Sequence, residues 1–479
     1  MRQIVARAGS AMRWRAAQLA SVELIYFARL LLLASLLAPE AFGLLAIASI
    51  ALSTLMQVSN VGMVPALVQR SEATRDEYDG AWTIGLARAL LVTLALVASA
   101  PLIAELFKEP RAVSIIQALA FRPAIEALSS IGVARLTREL RFKELAFIYA
   151  PAAVVDLCVA VLAAPELGVW ALVAGTLAGS AAMAGLSYCF APHRPRLRFH
   201  WEEVAPLADY GRWVLLTGIL TLAGTMLTQL AVSRMLGATA LGLFFLAVKL
   251  AFLPIDAANS VVGTVAFPMF VRLREDMPAS ARAFLSVLTG LHLLLLPVYA
   301  LTFVLAPQLE SVLGEQWTGT APIVRILCVA GVVAITGTAL SRYLMAHGSA
   351  KGAFWLEALH TVALLVALVP CIMQWQAYGA ATSWLIGSVT MLALSVFWLQ
   401  RLMPGLLRQA RRRLVAALLV SLCAAMAAWL AAAPFAGLPG LVAGGLAGVA
   451  TGALVLWWLN GVLRLQLQEL GVLLRNRDE

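Results

Sequence analysis

The 479-residue chain is 62% hydrophobic and 13% charged, with a mean hydropathy of +0.89. Soluble domains are nearer 45–50% apolar and about 25% charged, so these values exclude a water-soluble fold and leave an integral membrane protein. The formal net charge of +10 reflects basic residues gathered in cytoplasmic loops rather than nucleic-acid binding, and no nucleic-acid partner is expected.

The apolar runs are about 20 residues long and lack the period-2 alternation of a membrane barrel, so helices are the spanning elements. Arg2, Arg7, Arg13 and Arg15 precede a first span at residues 16–38, which is long and carries no small-residue cleavage site. Spans follow at 42–68, 81–104, 112–134, 145–164 and 168–190. The polar, Pro/Arg-rich segment APHRPRLRFHWEEVAP then divides the chain. Further spans are predicted at 210–236, 241–267, 284–306, 323–346, 353–373 and 378–399, and a final pair at 414–433 and 438–459. The expected fold is therefore all-α, with fourteen transmembrane helices. Its predicted domains are a first six-helix bundle (1–192), a cytoplasmic linker (193–206), a second bundle (207–400), and two extra helices with a short tail (401–479).

An internal repeat supports two similar halves. SLLAPEAFGLLA at Ser35–Ala46 is echoed by RMLGATALGLFF at Arg234–Phe245, aligning Gly43 with Gly242. VPALVQR at Val64–Arg70 is echoed by FPMFVRL at Phe267–Leu273, aligning Pro65 with Pro268. Orientation follows from the positive-inside rule. With the N-terminus inside, 25 of the 35 Lys/Arg fall on cytoplasmic segments and only Lys108 and Arg111 on outer turns. Both termini are expected in the cytoplasm.

The remaining cations lie within or at the ends of spans, where charge is costly without a partner or water. Arg29, Arg88, Arg122, Arg212, Arg234, Lys249, Arg325 and Arg342, with the acids Glu126 and Asp256, are candidates for a polar central cavity. Glu23, Asp156 and Asp256 are candidate coupling-ion groups, and Glu357 is a further intramembrane acid. Arg122 and Glu126 stand four apart and suit a local pair, Glu23 and Arg29 are near one face, and Lys249 and Asp256 are two turns apart beside Pro254. A cationic cavity suits an anionic substrate such as a diphosphate or an acidic glycan. The competing reading is that these groups snorkel or form structural ion pairs. His292 and His360 are possible proton carriers or satisfied buried histidines. Pro65, Pro123, Pro254, Pro297 and Pro370 predict kinks within spans.

Catalysis has little to work with. No Walker loop, HExxH or GxSxG is present, and no outer loop exceeds about sixteen residues. The five cysteines lack CxxC spacing and read as small core residues. No catalytic residue, metal or cofactor is expected, and transport is the function class that remains.

The segments LLAPEAFGLLAIA, NVGMVPALVQR, RLTRELRFKEL and ADYGRWVLLTGIL…SRMLGATALGLFFLAVKLAFLP…VAFPMFVRLRED together resemble the Wzx-like polysaccharide/oligosaccharide flippase family, in the multidrug/oligosaccharidyl-lipid/polysaccharide exporter superfamily. The similarity runs from about Arg13 to Leu399. The resemblance implies two six-helix bundles around a central cavity and alternating access. It also implies a lipid-linked oligosaccharide, usually on undecaprenyl diphosphate, crossing the bacterial inner membrane for surface polysaccharide assembly. A bundle of this size is expected to work as a monomer, and a polysaccharide polymerase and export machinery are its expected partners. The chain departs from the family at Ser35 (commonly Arg), Thr228 (commonly Asp) and Lys249 (commonly neutral polar). An ion-coupled small-molecule antiporter is the alternative, and a membrane glycan polymerase or ligase is a weaker one.

Overall fold

A computed structural model describes residues 2–59, 75–139, 141–193, 208–261, 263 and 266–463. The Val64–Arg70 motif with Pro65, the segment dividing the chain beyond His193, the tail after Leu463 and the side chain of Arg212 lie outside the described residues. Among those described, every regular element is a helix. The chain divides into two compact units, Met1–Ala208 and Asp209–Glu479.

Unit 1 contains α1 (Arg2–Leu36), α2 (Pro39–Val58), α3 (Arg75–Phe107), α4 (Ala112–Leu119), α5 (Phe121–Ala127), α6 (Gly132–Arg138), α7 (Phe142–Leu167) and α8 (Val169–Phe190). α7 and α8 form an antiparallel hairpin, and α1 packs along α7. The predicted fourth span is not one straight helix. It is broken into α4, α5 and α6, with a 64° bend between Ala112–Ala127 and Gly132–Arg138. Two causes are visible. Pro123 lacks the amide proton that a continuous helix needs. At the bend, the Ser130 amide donates to Ser187 Oγ, and the Ser130 hydroxyl donates to the Ala191 carbonyl. The helix gives up its own bonds there and is tied to the end of α8.

Unit 2 contains α9 (Ala208–Val261), α10 (Phe267–Arg272), α11 (Met277–Leu313), α12 (Thr320–Ala346), α13 (Ala350–Trp375), α14 (Ala377–Leu402), α15 (Leu406–Ala432) and α16 (Gly437–Leu463). α11 begins inside the stretch read from sequence as a loop. Asp276 caps it by accepting from the Ala279 amide at 3.0 Å, and Pro278 sits in the first turn, where a missing N–H costs nothing. α11 packs against α12, α15 and α16, so the last two helices pack on the rest of the unit. One apolar cluster of the unit includes Phe270, Phe284, Leu340, Tyr343, Leu399, Leu406 and Ala410.

Among the described residues, twelve helices, or thirteen with the bent pair, are long and apolar enough to cross a membrane. One of them, Leu216–Asp256, has 41 residues. At 1.5 Å per residue it would reach roughly 60 Å, about twice the hydrocarbon thickness. Gly237, at φ 88° and ψ 176°, interrupts it with a backbone that L side chains rarely adopt, and so makes two spans of one. The repeat acquires a structural meaning here. Gly237 stands five residues before Gly242, and Ala38, in extended conformation before α2, stands five before Gly43. Both units break the chain at the same point of the repeat and then restart a helix with a buried glycine.

Candidate functional site: buried charge clusters within each unit

In unit 1 four of the intramembrane charges, Arg29, Asp156, Arg122 and Glu126, form two ion pairs. Arg29 on α1 reaches across to α7, placing its Nε 2.8 Å from Asp156 Oδ1, with the two side chains 15% and 6% exposed. The same guanidinium donates to Thr176 Oγ1 at 3.1 Å and to the Leu172 carbonyl at 3.3 Å, both on α8. Sequence spacing suggested Glu23 as a neighbour of Arg29. The structure gives Arg29 to Asp156 instead and leaves Glu23 exposed on α1. The expected Arg122–Glu126 pair forms, with Nε to Oε1 at 2.7 Å, and Ser180 of α8 donates to the same carboxylate oxygen. Tyr26 lies within electrostatic reach of Arg29, Arg122, Glu126 and Asp156, which links the two pairs.

The cluster depends on close helix packing. A Cβ on Gly175 would sit 2.6 Å from Ala160 Cβ and 2.7 Å from Asp156 Oδ1, and one on Gly179 would sit 2.7 Å from Asp156 Cβ. These glycines let α8 approach α7 closely enough for Asp156 to fit between the helices. Charge-by-charge reading passed over Thr176, Ser180, Gly175 and Gly179. Their sequence signal is the GTLAGS segment, a Gly-x-x-x-Gly spacing typical of tight membrane-helix contacts. Arg88 on α3 is half-buried and donates to the Ser59 carbonyl at 3.5 Å. Among the described residues it has no carboxylate partner.

Unit 2 has a different balance. Lys249 is exposed on α9, with its ammonium 5.5 Å from the Phe245 ring centroid, and Asp256 is exposed farther along the same helix. Arg234 is exposed just before the break, and Arg342 is half-buried near the end of α12. Arg325 donates to the Phe303 carbonyl at 3.0 Å and stacks over that ring, so its charge is held near a helix end. Glu357 on α13 accepts from Thr221 of α9 at 3.1 Å and lies 4.0 Å from His360 Nδ1. Both His360 ring nitrogens and Trp384 Nε1 are buried without a hydrogen-bond partner among the described residues. A Cβ on Gly387 would meet His360 Cδ2 at 2.6 Å, so α14 is closely packed on this imidazole. Thr221, Trp384 and Gly387 are the members of this group that the sequence did not single out. His292 points its Nδ1 at the Leu288 carbonyl of its own helix, a satisfied buried histidine.

Outside the membrane, Arg111 bridges Glu40 at 2.8 Å and Glu109 at 3.1 Å, joining the start of α2 to the turn after α3. On the side carrying the basic loops, Arg135 hydrogen-bonds Glu139 and holds that carboxyl below the usual range. His193 meets the buried Asp79 at 2.7 Å and tethers the end of the first unit's chain to α3. No group of three or more His, Cys, Asp or Glu able to hold a metal occurs among the described residues.

Comparison with known proteins places this architecture. Residues 32–322 match the family model described as polysaccharide biosynthesis protein. The chain is 24% identical over 393 residues to the lipopolysaccharide biosynthesis protein WzxC of Escherichia coli (strain K12), covering 81% of this chain and 80% of that one. It is 24% identical over 365 residues to the succinoglycan biosynthesis transport protein ExoT of Rhizobium meliloti (strain 1021), covering 76% and 72%. The fold is similar to the lipid II flippase MurJ in an inward closed conformation, with a TM-score of 0.69 at 13% identity over 94% of this chain and 99% of that one. It is also similar to an inward-facing MATE-family multidrug transporter of the MOP superfamily, with a TM-score of 0.62 at 16% identity over 84% and 98%.

Proposed function

This chain belongs to the polysaccharide biosynthesis protein family, and on that premise we propose that it moves a lipid-linked oligosaccharide across the bacterial inner membrane for surface polysaccharide assembly. The observation that carries the reading is the family match, which begins in unit 1 and continues into unit 2, on a membrane fold similar to that of a lipid II flippase. The names of the relatives, lipopolysaccharide biosynthesis and succinoglycan transport, support a glycan as cargo. The function is transport, not catalysis. The carrier is a polyprenyl diphosphate, whose two phosphates need cationic contacts to leave the water layer.

The mechanism is alternating access, with the two units as its moving parts. Internal ion pairs compensate much of unit 1's intramembrane charge, so that unit moves as a body without separating unpaired charges. Within unit 2 the exposed cations, Lys249 foremost, are candidates to meet the diphosphate, and within unit 1 Arg88 is another. The breaks at Gly237 and between α5 and α6 allow helix halves to tilt while keeping their own hydrogen bonds. Both termini lie in the cytoplasm, the unit is a monomer, and polymerase and export proteins take up the product outside.

A strain lacking the protein is expected to accumulate lipid-linked repeat units on the cytoplasmic face and to lose surface glycan, as measured by mass analysis of extracted lipids. Normal intermediates and normal glycan would refute the proposal. Lys249→Gln and Arg88→Gln are each expected to lower export while inserting at wild-type levels. Unchanged export in both would remove these two residues from the substrate path. The MATE-like fold favours one second reading, an ion-coupled small-molecule antiporter in which Glu357 and His360 carry the proton. In that case drug efflux, not glycan export, would fall in the deletion strain.

A further inference from the structure

We propose that the start of α15 is a binding site for the headgroup of an anionic phospholipid in the cytoplasmic leaflet. Arg408, Arg411 and Arg412 are all exposed there. At helical spacing they form one ridge, and the ridge continues without interruption into an apolar stripe of Val415, Leu418, Leu419, Leu422 and Met426, each 48–64% exposed. The opposite face, through Leu406, Ala410, Ala417 and Ala424, is buried. The helix is therefore held in one rotation, and the ridge and stripe cannot turn inward. The rise from Val415 to Met426 is roughly 16 Å, about one leaflet of the hydrocarbon core. Charge above and apolar surface below reproduce the division of a phospholipid into headgroup and acyl chains.

Charge compensation distinguishes this ridge from the Arg135 and Arg141 surface of unit 1. In unit 1, Arg135 and Arg141 are paired with Glu139 and Glu144, and Lys143 rests over Trp14. The α15 arginines have no carboxylate partner among the described residues. The sequence itself contains no Asp or Glu between Glu357 and Glu469. Arg401, over the Phe397 ring at 4.4 Å, and Arg413 add a fourth and a fifth cation to the same helix–turn–helix junction. Such a field at the bilayer surface calls for an external anion, and the lipids of the surrounding leaflet are the anions in permanent contact with it. The ridge lies on the side that the Lys/Arg bias assigns to the cytoplasm.

The test is retention of phosphatidylglycerol against phosphatidylcholine by the full-length protein in a neutral detergent, read by native mass spectrometry. The wild type is expected to prefer the anionic lipid, and R408Q/R411Q/R412Q to lose roughly 100-fold of that preference. R408K/R411K/R412K keeps most of it, because charge rather than fork geometry sets the attraction. R272Q/R274Q, which removes charge elsewhere in unit 2, keeps it fully. If the triple Gln variant does not insert, R412Q alone must show a partial loss. Undiminished preference in the Gln variants overturns the proposal. So does displacement of phosphatidylglycerol by a polyprenyl diphosphate at equal concentration, since the ridge would then belong to the substrate path.

Discussion

Asp156→Ala is expected to destabilise the protein by roughly 3–5 kcal/mol, because it leaves the Arg29 guanidinium buried with no counter-charge. The Thr176 hydroxyl and the Leu172 carbonyl still accept from Arg29, so the loss falls toward the lower end of that range. Arg29→Met is expected to cost less. The carboxyl it strands becomes neutral by taking a proton, whereas a guanidinium stays charged in any protein environment. The double variant R29M/D156L replaces both groups by apolar ones and is expected to recover to within about 1–2 kcal/mol of wild type. Thermal unfolding in detergent gives the order directly: Asp156→Ala lowest, Arg29→Met intermediate, the double variant highest. If Arg29→Met unfolds at a lower temperature than Asp156→Ala, the buried pair does not hold the unit as described.

The second large effect is steric. Gly175→Leu places a branched side chain where even a Cβ lies 2.6 Å from Ala160 Cβ and 2.7 Å from the Asp156 carbonyl and carboxylate oxygens. α8 must then move off α7, and Asp156 loses its place beside Arg29. Overpacking typically costs about 1–3 kcal/mol, and displacing the ion pair adds to it, so a loss of about 3 kcal/mol or more is expected. Gly185→Leu on the same helix is the matched control, since an added Cβ there meets nothing within 4 Å. It is expected to change stability by less than about 0.5 kcal/mol. Equal effects at the two positions would mean that intrinsic glycine propensity, rather than the fit around Asp156, decides the outcome.

The fold was legible in the sequence wherever a single physical rule dominated. Twenty apolar residues in a row have one stable state in a bilayer, so the spans stood out, as did the repeat aligning Gly43 with Gly242. The broken fourth span did not, because its cause is partly remote. Ser130 leaves the helix for bonds to Ser187 and Ala191, some sixty residues away, and hydropathy carries no trace of them. The continuous helix across Gly237 was predicted as two spans, and the glycine's backbone angle shows why both descriptions fit. Among the charges, Arg122–Glu126 was readable because its spacing is local. Arg29–Asp156 was not, because the partners come from α1 and α7 and depend on how α7 lies against α8. The Gly-x-x-x-Gly spacing at Gly175 and Gly179 was the one signal that pointed to that contact. For Thr221 beside Glu357 no local signal exists, since one residue comes from α9 and the other from α13.

Transfer of a lipid-linked glycan between leaflets by this chain is open to direct measurement. The direct measurement uses purified full-length protein in vesicles loaded with a polyprenyl-diphosphate-linked oligosaccharide. The fraction of glycan exposed on the outer surface is followed with a membrane-impermeant glycan-cleaving or glycan-binding probe. On the proposed function, vesicles containing the protein are expected to expose the glycan from both leaflets while protein-free vesicles expose only the outer share, and Lys249→Gln is expected to slow the transfer. Exposure that stays at the outer-leaflet share in the presence of correctly folded protein, under an imposed proton or sodium gradient and without one, would contradict it.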